Sequence, residues 1–302
     1  MPQDFTTAVY GLGSMGYGMA QSCLRAGLTT HGADVNASRV VQLQAEGGAP
    51  ARPSDVADGL DAVVVVVLNA AQTEDVLFGS NGIVPRLRDG AVVIACATVP
   101  PAFARDMAGR CEGHSVHYLD APISGGAVKA ADGKLSIMAS GRPEAFAAAD
   151  PVLAATAETV FRLGDNAGAG SAMKAVNQLL AGVHIATMAE ALTFGLTQGV
   201  SAEDFLRVIS QCAGTSWMLE NRAPHIVDGD YTPKSSVNIW PKDLGIVLDI
   251  AQHAGFDAPI ACAALAQFET AAAAGLGPED DAAVAKIYAA QAGVKLPQGD
   301  TT

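Results

Sequence analysis

Basic side chains are scarce in this chain: 18 Lys and Arg face 31 Asp and Glu in 302 residues, for a formal net charge of -13. They form no cluster. A field of that sign is poorly matched to nucleic acid or to an anionic membrane surface, so neither is expected as a partner. The cysteines (Cys23, Cys96, Cys111, Cys212, Cys262) are widely spaced, odd in number and contain no CxxC pair. That argues against a disulfide framework or a zinc site and fits a reducing, cytoplasmic setting. There is no HExxH, no GxSxG and no carboxylate-rich loop, and His114 and His117 are spaced to point to opposite faces of a strand, so no metal is expected. Unbroken apolar runs are also short. The longest strongly apolar one, Ala62 to Leu68, is well below bilayer-spanning length, and the opening MPQDFTTAVYG has no basic region followed by an apolar stretch, so neither a membrane span nor a signal peptide is expected.

Apolar residues are plentiful: 50% of the chain is hydrophobic against 16% charged, a balance that calls for a large buried core. Short runs expected as strands, several of them rich in valine and isoleucine, recur in the first half: TAVYG (7–11), THGAD (30–34), DAVVVVVLN (61–69), AVVIACA (91–97) and SVHYLD (115–120). Each is followed by a stretch long enough for a helix, the pattern of a parallel sheet covered on both faces. Beyond Gly164 such runs stop and helical segments are expected at 170–199, 202–212, 242–254 and 259–274. Pro224, Pro233, Pro241 and Pro259 are expected in the connections, and KLPQGDTT is expected as a loose tail. The fold class expected is an α/β Rossmann-type N-terminal domain over 1–164, followed by an all-α domain over 165–302. A helix as long and apolar as 170–199 exceeds what one small helical domain can cover, so a homo-oligomer, dimer or tetramer, is expected. Trp217 and Trp240 are both expected in the core.

In VYGLGSMGYGMA, Gly11, Gly13 and Gly16 have the GxGxxG spacing after a strand and ahead of a helix, with Leu12, Ser14 and Met15 between them. The first glycine permits the tight turn, the second lets backbone approach a pyrophosphate, and the third lets helix and strand pack closely. Asp34 closes the next strand, where a carboxylate would take the adenosine ribose hydroxyls and repel a 2′-phosphate. NAD is therefore expected as cofactor. In LDAPISGGAVK, Ser124, Gly125 and Gly126 follow a strand, and their amides and hydroxyl are suited to holding a carboxylate.

The segment GAGSAMKAVNQ poses a separate problem, because Lys174 is the one full charge between Asn166 and Ala189. An ammonium on so apolar a helix either snorkels to water or serves a site. A buried lysine loses part of its basicity and can move a proton near neutral pH, and Asn177, three residues on, shares its helix face. Lys242, in WPKDLG, is a candidate for contacting substrate or cofactor.

Four segments together, GLGSMGYGMA (11–20), DAPISGG (120–126), GAGSAMKAVNQ (168–178) and KDLG (242–245), resemble the β-hydroxyacid dehydrogenase family, which includes 3-hydroxyisobutyrate dehydrogenase and tartronate semialdehyde reductase. The resemblance implies Lys174 as the catalytic acid/base, Ser124, Gly125, Gly126, Asn177 and Lys242 at the substrate, and Leu68, Asn69, Thr98 and again Lys242 at the cofactor. Where many members carry phenylalanine before the KDL lysine, this chain has Ser235, with Asn238 nearby. The stretch DYTPKSSVNIWPKDLGIV looks most like the branch acting on L-threonate, which implies NAD-dependent oxidation at C2 to 2-oxo-tetronate. The alternatives are reduction of glyoxylate- or tartronate-semialdehyde-like substrates with NAD(P)H, oxidation of 3-hydroxyisobutyrate, or a non-catalytic dinucleotide-binding regulator.

Overall fold

The structure is a computed structural model and describes residues 5–299. Met1–Asp4, where the absence of a signal peptide was inferred, and Asp300–Thr302, the end of the expected tail, lie outside the described residues. The chain divides into two compact units, the first ending at Lys174 and the second beginning at Ala175.

Five short strands build the main sheet of the first unit: β1 (Thr6–Tyr10), β2 (Thr29–Ala33), β3 (Ala62–Val65), β4 (Val92–Ala95) and β5 (His117–Asp120). All pair in parallel, in the order β2-β1-β3-β4-β5. The register aligns Val9 with Val64, Val64 with Ile94, and Ile94 with Leu119, and all four side chains are fully buried. Such uniformly apolar strands require cover on both faces. It comes from α1 (Gly16–Arg25), α2 (Ala37–Ala45), α3 (Ala70–Phe78), α4 (Pro101–Glu112), α5 (Gly126–Asp132) and α6 (Pro143–Thr156). Separate apolar clusters, one around Val9, Leu12 and Met19 and another around Val63, Leu77 and Met107, divide the two faces.

Sequence reading missed a second sheet, formed by β6 (Ile123–Ser124), β7 (Leu135–Ala139) and β8 (Ala157–Arg162), with β6–β7 antiparallel and β7–β8 parallel. β6 has only two residues, β7, LSIMA, is interrupted by a serine, and β8, AETVFR, is largely exposed, so none carries the apolar run that marks the main sheet.

The second unit is helical. The long α7 (Ala169–Thr197) enters it from the first unit, and α8 (Ala202–Ile209), α9 (Trp217–Asp228), α10 (Ile239–His253), α11 (Pro259–Ala271) and α12 (Ala285–Ala292) follow. Ile185, Met188, Leu192, Leu219, Ile226, Trp240, Leu244 and Phe268 form its core. Three of the prolines expected in connections lie in helices: Pro224 within α9, and Pro241 and Pro259 in the first turns of α10 and α11, where no intrahelical backbone donor is lost. Trp240 is buried and stacks on Phe268, with ring centroids 5.5 Å apart. Trp217, by contrast, opens α9 at 61% exposure, so the core expectation fails for it. The tail is also less loose than expected through Gly299. Leu296 packs on the helical core, and Gly229, in the left-handed region at φ 64, lies so close to Gln298 and Gly299 that no side chain would fit there.

Although the longest unbroken apolar run is short, helical periodicity spreads apolar residues along two longer segments. Ala169–Thr197 and Pro259–Leu276 reach membrane-spanning length and hydropathy by composition. In α7, Val176, Leu180 and Phe194 share one face and are 56%, 49% and 65% exposed.

Candidate functional site

In a doubly wound sheet, ligands collect at the carboxyl ends of the strands where the strand order reverses, here between β1 and β3. The glycine turn begins at that point. Gly11 has φ 91, its N–H donates to Ala33 O at 2.9 Å, and a Cβ on it would overlap the Val66 carbonyl. A Cβ on Gly16 would overlap the Gly11 carbonyl, so this glycine closes the helix onto the strand. At Gly13 a Cβ would meet nothing within 4 Å. Two glycines are thus required by the protein's own packing and the middle one faces open space, the cradle a pyrophosphate needs at the start of α1. Ser14 is exposed, Met15 is half-buried at the helix cap and Leu12 is fully buried.

Asp34 is tied to this turn. Its Oδ2 accepts from the Leu12 N–H at 2.6 Å and its Oδ1 from the Asn36 N–H at 2.7 Å. A carboxylate offers about four acceptor positions, so the partly exposed group retains capacity for a ribose diol. The cap of α2 is Asn36, which accepts from Ser38 N–H, so helix capping does not account for Asp34. Leu68 is 59% exposed just beyond β3, and Asn69 Oδ1 caps α3 by accepting from Gln72 N–H at 2.9 Å. Thr98 is half-buried in the connection from β4 to α4.

Lys174 does not snorkel. It is only 9% exposed, and its Nζ donates to the Ile123 carbonyl at 2.9 Å. Ile123 immediately precedes Ser124, Gly125 and Gly126, so the amine is held against the base of the loop expected to bind an anion. Gly125 and Gly126 have φ 135 and 77, and Ser124 ends β6. This conformation aims the two amides in directions a side chain would resist.

The first turn of α7 is placed by Asp120, to which sequence reading assigned no role. Asp120 is 1% exposed, and its Oδ2 accepts from the Gly168 and Ser171 N–H groups at 2.9 Å and from Ser140 Oγ at 3.1 Å. Its Oδ1 takes Ser171 Oγ at 2.6 Å. The Gly170 N–H in turn donates to Ser140 Oγ at 2.9 Å, and any side chain at Gly170 would strike the Met138 and Asp120 carbonyls. Burial pushes the Asp120 carboxyl above its ordinary range, against the pull of these hydrogen bonds. The first compact unit ends at Lys174 and so contains this buried grip.

In the second unit, Asn177 and Lys242 belong to one network. Asn177 Nδ2 donates to Gln178 Oε1 at 2.9 Å, Gln178 Nε2 donates to Asp243 Oδ2, and Lys242 Nζ pairs with Asp243 Oδ1. A second buried polar group, also missed by sequence reading, joins Arg222 and Trp240 to Asp281 and His225 to Asp280. It ties the segment leading into α10, where the Ser235 carbonyl accepts from Asp281 N–H at 2.8 Å.

Three buried thiols, Cys23, Cys96 and Cys111, are pushed up to about 12 by burial, too high for a thiolate nucleophile at neutral pH. Among the described residues no cluster of three His, Cys, Asp or Glu could hold a metal.

Residues 6–164 match the family model of the NAD-binding domain of 6-phosphogluconate dehydrogenase. Residues 168–288 match that described as the NAD-binding part of NADP-dependent 3-hydroxyisobutyrate dehydrogenase. The chain is 50% identical to an L-threonate dehydrogenase of Cupriavidus necator, over 96% of this chain and 97% of that protein. It is 46% identical to an L-threonate dehydrogenase of Escherichia coli K12, over 97% of each. A crystal structure described as 3-hydroxyisobutyrate dehydrogenase from Salmonella typhimurium is 47% identical, with a TM-score of 0.89 over 94% of this chain and 100% of that one.

Replacing Asp120 by alanine strands two buried N–H groups and two hydroxyls. Asp120→Ala is expected to lower unfolding stability by about 3 kcal/mol, and urea denaturation showing a loss below about 1 kcal/mol would remove Asp120 from this role.

Proposed function

This chain belongs to the β-hydroxyacid dehydrogenase family of NAD-binding enzymes, and we propose that it oxidises the C2 hydroxyl of L-threonate to the 2-oxo acid. The observation that carries the reading is the Lys174 amine, buried and fixed on the Ile123 carbonyl at the base of the Ser124–Gly126 loop. Near-full-length likeness to L-threonate dehydrogenases supports the choice of acid.

NAD, when bound, supplies the hydride acceptor. Gly11, Leu12, Gly13, Ser14, Met15 and Gly16 would hold its pyrophosphate, Asp34 the ribose hydroxyls, and Leu68, Asn69 and Thr98 the remainder. Ser124 and the Gly125 and Gly126 amides would hold the substrate carboxylate, where a few aimed donors suffice despite the acidic overall charge. Lys174 Nζ keeps one N–H on the Ile123 carbonyl, which can only accept, and its lone pair takes the hydroxyl proton as the C2 hydride departs. Asn177 and Lys242 would bind the polar tail of the acid.

The division of labour follows the two segments, with residues 1–164 binding the dinucleotide and 165–302 serving substrate and self-association. The exposed apolar face of α7 supports a homo-oligomer. All five cysteines are free, which supports residence in the cytoplasm. Likeness to the Salmonella protein favours a second reading, oxidation of 3-hydroxyisobutyrate.

Lys174→Ala is expected to lower kcat by about 10²–10⁴ while NAD binding, followed by fluorescence, is retained; near-normal turnover would refute the assignment of Lys174. Asp34→Ala is expected to raise KM for NAD and relax discrimination against NADP. An unchanged cofactor preference would show that another group reads the ribose.

A further inference from the structure

We propose that Gln178 and Asp243 are positioning residues that set the orientation of the Asn177 amide, leaving its carbonyl oxygen to accept from a substrate hydroxyl other than the one oxidised. The inference rests on the functional reading above and narrows its substrate class.

Asp243 lies in the first turn of α10 and is only 3% exposed. One carboxylate oxygen takes the Lys242 ammonium and the other takes Gln178 Nε2. A carboxylate only accepts, so Gln178, itself 7% exposed, must turn its NH2 group toward it. Gln178 Oε1 is then left facing Asn177. That oxygen also only accepts, so Asn177 must present Nδ2, as it does at 2.9 Å. Turning over either amide alone would set oxygen against oxygen or N–H against N–H in a buried network, which is costly. A charge two side chains away thus dictates that half-buried Asn177 keeps its carbonyl oxygen and one N–H for a ligand.

The chemistry then restricts what that oxygen can bind. The reacting hydroxyl has one proton, and it goes to Lys174. An acceptor on Asn177 has nothing further to take from that group and is matched by a second hydroxyl on the substrate. The class that fits is a polyhydroxy acid with a hydroxyl beside the reacting carbon, not a simple hydroxy acid.

The test compares kcat/KM for L-threonate with that for 2,4-dihydroxybutanoate of the same C2 configuration, which lacks only the C3 hydroxyl. The wild type is expected to prefer L-threonate by about tenfold or more. The preference should collapse to within about twofold in Asn177→Ala, in Gln178→Met, which cuts the chain, and in Asp243→Asn, which lets both amides turn over. Variants that lose activity but keep the full preference, or a wild type with no preference, would overturn the proposal. If the wild type turns over neither acid, the functional reading fails, and the chain of amides is judged by hydrogen exchange of the Asn177 side-chain amide by NMR. Exchange faster by about tenfold in Gln178→Met supports it; equal exchange overturns it.

Discussion

The structure depends most on one buried carboxylate. Asp120 ends the last strand of the main sheet, and its two oxygens collect two backbone N–H groups and two hydroxyls from the start of α7 and from Ser140. The amide end of a helix carries unsatisfied donors and partial positive charge, so a carboxylate there both satisfies and attracts it. Three residues on, in β6, the Ile123 carbonyl takes the Lys174 amine, one turn beyond Ser171. One short stretch, DAPISGG, therefore anchors the helix, receives its lysine and presents the Ser124–Gly126 loop. The distance from the Lys174 amine to the Ser124–Gly126 loop is set by covalent continuity and a single buried grip.

A second constraint is steric. Gly11 and Gly16 are demanded by contacts within the protein, whereas Gly13 is not. The motif thus separates into two positions that build the turn and one that leaves room above it. Asp34 couples that room to β2 by holding the Leu12 N–H, so the group that would read the ribose also stiffens the turn.

Much of this was legible in the sequence because the signals are local. The valine runs gave the strands to within a few residues, and the isolation of Lys174 in an apolar helix marked it as a group needing compensation. What escaped were long-range polar contacts. Asp120 sits 51 residues from Ser171, Gln178 is 65 from Asp243, and His225 is 55 from Asp280. No periodicity links such pairs. Helix α9 was missed because it carries Pro224 inside it and buries Arg222 and His225, polar residues that spoil the apolar pattern until their aspartate partners are known. Trp217 was misplaced because a large aromatic side chain is core by default, and nothing local distinguishes the exception.

Oxidation of L-threonate with NAD at this site reports itself directly as NADH. The most direct measurement is NADH formation by the purified protein with NAD and, in parallel, L-threonate, D-threonate, D-erythronate, L-serine, 3-hydroxyisobutyrate and glycerate. Selective turnover of L-threonate is the predicted result. A preference for 3-hydroxyisobutyrate, or NAD bound with no NADH formed from any of these acids, would contradict the account.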